Sequence, residues 1–116
     1  MKDIAQVYHN DFGVAFYWKK NEEVVTKRVQ LVFRQTGFYL TPAQLVEFSG
    51  KIAECEGSNC CNCSLKGRCH RFLLKTPVPE VDLAINYDEY LEIKDLVEGT
   101  LFKINLLEYL GGAGLN

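Results

Sequence analysis

The chain has 116 residues, a formal net charge of -2, and 47% hydrophobic against 24% charged residues. That is enough to bury the core of one domain without help from disulfides, and the near-neutral balance gives no electrostatic reason to expect a nucleic-acid or membrane-surface binder. No apolar run approaches the roughly 18 residues of a membrane span, and MKDIAQVYHNDF lacks a secretory apolar core and cleavage site, so a cytoplasmic location with reduced thiols is expected.

Residues 4–9 and 13–19 alternate loosely, are rich in Val, Tyr, Phe and Trp, and flank Asn10, Asp11 and Gly13, which predicts a hairpin. In its second strand Val14, Phe16 and Trp18 share one face, with Ala15 and Tyr17 on the other. Lys19 to Glu23 reads as a charged turn. A third strand over 28–34 points Val29, Leu31 and Phe33 inward, alternating with Arg28, Gln30 and Arg34. The turn 34–37 leads into a fourth strand, Phe38 to Leu40.

Thr41, Pro42 and Gln44 are helix-start chemistry: a capping hydroxyl, proline at the first helical position and the partner of a capping box. Leu45, Val46, Phe48 and Ile52 then form an apolar stripe running to about Cys55, with Gly50 costing about 1 kcal/mol relative to Ala. Beyond the cysteines, Arg71 to Lys75 reads as a fifth strand ending at Thr76-Pro77-Val78-Pro79. Val81, Leu83 and Ile85 alternate with polar or small residues as a sixth. Asn86 and Glu89 open a second helix with another capping box. Leu101, Ile104, Leu107 and Leu110 continue a helical stripe past Gly99, a strand over 100–106 being the alternative, and 111–116 reads as a loose tail.

FYLTPAQLVEFSGKI (38–52) aligns without gaps on LAINYDEYLEIKDLV (83–97), matching Thr41 to Asn86, Gln44 to Glu89, Phe48 to Ile93 and Ile52 to Val97. Any strand–helix unit with a capping box shares some of this, but the common register favours a ββα pseudo-repeat. The expected fold is α+β: a single domain over 1–110 with an antiparallel sheet of about six strands and two or three helices on one face. The cysteine-rich loop 55–70 is inserted between the halves.

That loop, CEGSNCCNCSLKGRCH, holds all five cysteines: Cys55, Cys60, Cys61, Cys63 and Cys69, followed by His70. An odd cluster of thiols in a reducing compartment favours metal or redox chemistry over a disulfide framework. Cys60-x2-Cys63 is the spacing of a zinc knuckle, where a tight turn brings two thiolates to one ion. Neighbours in an extended chain diverge, so one of Cys60 and Cys61, and one of Cys69 and His70, faces away from a shared ion. The expected metal ligands are Cys55, Cys60, Cys63 and Cys69, with Cys61 and His70 as alternates, and zinc as the cofactor, because four thiolates without an open position are the usual structural set. An iron–sulfur cluster takes the same residue type, although in the auxiliary-cluster pattern a fourth cysteine would fall near Leu73. A redox pair at Cys60 and Cys63 and reduced thiols without a partner remain open.

Lys66, Arg68, Arg71 and Lys75 surround Cys69; they can lower thiolate pKa values, or simply be a solvated face. Base stacking on Tyr17 and Trp18 is chemically conceivable, but the acidic second helix (Asp88, Glu89, Glu92, Asp95, Glu98) disfavours nucleic acid. That acidic run reads as a solvated helix face and His9, near Asp11, as an exposed turn residue. Cys69 and His70 point apart in a strand and cannot act as nucleophile and base. The order of strand, FYLTPAQLVEF helix, cysteine loop and FLLKTPVPEVDLAINYDEYLEI, over roughly residues 29–98, resembles a small group of uncharacterised bacterial strand–helix proteins. The resemblance implies a fold and no activity. The expectation is a binding or interaction module, taking a protein partner, and not an enzyme.

Overall fold

The structure is a computed structural model and describes residues 3–57 and 72–110. The element order is β1 (Ile4–His9), β2 (Gly13–Lys20), β3 (Glu23–Phe33), β4 (Thr36–Leu40), α1 (Pro42–Gly57), β5 (Phe72–Lys75), β6 (Asp82–Ile85) and α2 (Tyr87–Tyr109). The start of the fifth strand at Arg71 and the tail 111–116 fall outside the described residues.

The first four strands form one antiparallel meander in the order β1-β2-β3-β4, and β5 and β6 form a separate two-stranded ribbon. The expected sheet of about six strands is therefore divided four and two. Alternation reveals which face of a strand is buried but not which strand it pairs with. Side chains of β3 also reach across to β4, Gln30 donating to the Phe38 carbonyl (3.2 Å) and Arg28 to the Tyr39 carbonyl (3.1 Å). The ribbon instead packs against α1.

Strand β3 begins at Glu23, five residues before the alternating run. The turn is only Asn21 and Glu22, both with positive φ (54° and 66°), as a two-residue hairpin requires. The β2–β3 register slips between Phe16↔Gln30 and Trp18↔Val25, and this irregularity broke the sequence periodicity.

One sheet face carries Ala15, Tyr17, Val29, Leu31, Phe33, Phe38 and Leu40, all in the buried core. Both helices pack on the meander: α1 on β3 and β4, α2 on β1 and β2, and the two touch each other. Leu45, Phe48 and Ile52 are buried from α1, whereas Val46, expected on the same stripe, is 58% exposed because it is one step round the helix from Leu45. Tyr90, Ile93, Leu96, Val97, Thr100 and Ile104 are buried from α2, which runs unbroken through Gly99 to Tyr109, so the strand alternative over 100–106 is excluded.

Both capping boxes form. Gln44 N donates to Thr41 Oγ1 (3.1 Å) while Thr41 N donates to Gln44 Oε1 (3.0 Å). Glu89 N donates to Asn86 Oδ1 (2.8 Å) while Asn86 N donates to Glu89 Oε1 (2.9 Å). Each of the hairpins β3–β4 and β5–β6 thus leads through a box into a helix. Asn86→Ala is expected to lower stability by about 1 kcal/mol in urea unfolding. An unchanged midpoint would show that the box adds nothing.

Candidate functional site

Of the predicted ligands, Cys55 is among the described residues, and Cys60, Cys61, Cys63, Cys69 and His70 lie outside them. Cys55 occupies the last turn of α1, on the helix face that Phe48 and Ile52 also use, and is 8% exposed within the core. Its sulfur is in a disulfide bond, so in this form it is not a thiolate. Helix α1 lies against β5, and the cysteine segment leaves the end of α1 and re-enters the fold at β5. A covalent or metal link at Cys55 is therefore anchored in the core. Among the described residues no group of three or more His, Cys, Asp or Glu side chains is placed to hold a metal.

A second site has no counterpart in the sequence reading. Where the β3–β4 turn approaches β6 and α2, a crevice of about 330 Å³ opens. Its apolar walls are Phe12, Phe33, Leu83, Ile85 and Ile93, with the Phe12 and Phe33 rings stacked at 5.5 Å. Arg34, Thr36, Asp82 and Glu89 add polar groups. Arg34 sits in the turn with φ 53°, a left-handed conformation that favours glycine. Its guanidinium lies 5.0 Å from the Phe12 ring centroid and its Nη2 is 3.0 Å from Glu89 Oε2. Glu89, 8% exposed, thus serves both the α2 cap and the Arg34 pair. Asp82 Oδ2 faces Lys75 Nζ at 3.4 Å, but Asp82 Oδ1 is buried and accepts no hydrogen bond among the described residues.

The acidic face of α2 is partly engaged. Tyr8 Oη donates to both Asp95 carboxylate oxygens (3.1 and 3.0 Å), and Asn10 Nδ2 donates to Asp95 Oδ2 (2.9 Å) and to the Glu92 carbonyl (3.0 Å). The hydrogen bond to Asp95, then burial and the carboxylate charge, raise the Tyr8 pKa above its ordinary value. The Tyr8 ring covers Gly99 so closely that a Cβ there would meet it at 2.3 Å. Asp95 lies on an exposed helix face, as expected, and also ties β1 to α2.

The face of the meander away from the helices carries Trp18 and Tyr39, 42% and 43% exposed, with Arg28 5.7 Å from the Tyr39 ring centroid. Tyr17, by contrast, is in the core and cannot stack on a base. Burial, and secondarily the charge of Glu108, raise its pKa. Among the described residues no helix is long and apolar enough to cross a membrane. No family model, curated protein or solved structure matches the chain.

Proposed function

We propose that the chain is a small cytoplasmic binding module whose cysteine segment is closed by zinc held on Cys55, Cys60, Cys63 and Cys69. The observation behind this reading is the placement of Cys55, buried in the core at the end of α1, the helix that packs on β5. An ion bound there would tie the helix to the ribbon and order the intervening chain, coupling metal affinity to folding. The open sheet face with Trp18, Tyr39 and Arg28 suits a protein partner, since exposed aromatic residues and arginine are enriched at interfaces. The recurrence of hairpin, box and helix fits a duplicated ββα unit.

The Cys55 disulfide favours a second reading, in which the same cysteines do thiol–disulfide chemistry and zinc binds only the reduced chain. Metal analysis of protein purified with a reductant and no added metal separates these readings. Zinc at one equivalent per chain, retained in Cys61→Ser and His70→Ala but lost in Cys63→Ser, is the result expected. Metal-free protein with paired thiols would favour the redox reading, and a brown protein containing iron would replace zinc with a cluster. Zinc kept by Cys63→Ser but lost by Cys61→Ser would show a different tetrad.

A further inference from the structure

We propose that the crevice between the β3–β4 turn and β6 is a binding site for an apolar amino acid in its zwitterionic form. Three observations converge there. The first is the buried Asp82 Oδ1, an acceptor with no donor among the described residues; an unmet carboxylate oxygen in a buried position is costly and calls for a donor such as an ammonium group. The second is Arg34, held in a left-handed conformation in the turn. Its guanidinium carries five N–H donors and pairs with Glu89 through Nη2. A strained residue kept in place by a stacked ring and a buried carboxylate marks a position where the side chain matters more than the backbone cost. The third is the apolar wall formed by Phe12, Phe33, Leu83, Ile85 and Ile93.

The charge balance narrows the ligand class. Arg34 is paired with Glu89, and Asp82 with Lys75, so a ligand carrying net charge would leave a surplus in the crevice. A zwitterion does not. Its ammonium group would donate to Asp82 Oδ1, its carboxylate would accept from the Arg34 guanidinium and the Thr36 hydroxyl, and its side chain would lie against the apolar wall. The crevice volume of about 330 Å³ is at the lower end for ligand sites and suits a molecule of this size.

The test is an amide chemical-shift titration of the full chain with L-leucine, leucinamide and 4-methylpentanoate. Saturable shifts at Thr36, Leu83 and Ala84 with leucine are expected. Binding about tenfold or more weaker is expected for the amide, which lacks the carboxylate, and for 4-methylpentanoate, which lacks the ammonium group. Arg34→Gly suits the φ of the turn and Asp82→Asn preserves shape, so both variants should keep dispersed spectra and lose the leucine response. No saturable shift with leucine in the parent protein overturns the proposal. So does equal binding of all three compounds, or a leucine response unchanged in both variants. None of these readouts depends on the state of the cysteines.

Discussion

Phe48→Ala is expected to lower the unfolding free energy by about 3–5 kcal/mol, a large share of the roughly 5–15 kcal/mol that holds a domain of this size together. Phe48 is fully buried, and its ring meets Phe38 of β4 edge-on, with centroids 5.9 Å apart and planes at 62°. Truncation would remove this aromatic contact between α1 and the meander and leave a cavity in the core. Val46→Ala is the control, since Val46 is largely exposed on the same helix and should move stability by no more than about 0.5 kcal/mol. Urea unfolding of both variants gives the comparison. A loss of less than about 1 kcal/mol in Phe48→Ala would mean that α1 is not docked on the sheet. The anchoring of Cys55 would then fail with it.

The parts of this fold legible from sequence are those whose signals are local. Thr41 with Gln44 and Asn86 with Glu89 specify helix starts because each box is completed within one turn of chain, and both are formed. Val29, Leu31 and Phe33 give away their buried face by simple alternation. The division of the strands into two sheets was not legible, because alternation marks the buried face of a strand and not the strand it pairs with. The early start of β3 was hidden by the register slip opposite Trp18. The crevice was hidden for a different reason. Arg34 and Glu89 are far apart in sequence and meet only because the β3–β4 turn folds over the start of α2. Arginine where a turn favours glycine was the one signal available, and it is a weak one. The partners of Asp95, which is exposed as expected, were not legible because Tyr8 and Asn10 lie at the other end of the chain. Of the cysteine site, the sequence supplied the ligand candidates, and the structure adds where Cys55 is held.

Cys55→Ala separates the two states proposed for that site by its effect on stability. In oxidised protein the variant loses a covalent tie whose removal typically costs about 2–4 kcal/mol, largely through the freedom regained by the unfolded chain. In reduced, zinc-loaded protein it loses a metal ligand, and the metal-linked part of the folding free energy goes with it. In reduced protein treated with a chelator, parent and variant should differ only by truncation of one small buried side chain, about 1 kcal/mol. Alanine is the better substitute than serine here because Cys55 is buried among apolar side chains, where an added hydroxyl would need a partner. Unfolding curves under these three conditions therefore give a pattern and not a single number. A gap that closes with reductant alone points to the disulfide as the tie, and one that closes only with reductant and chelator together points to the metal. Coincident curves for parent and variant in all three conditions would show that Cys55 ties nothing, and both readings of the site would fall.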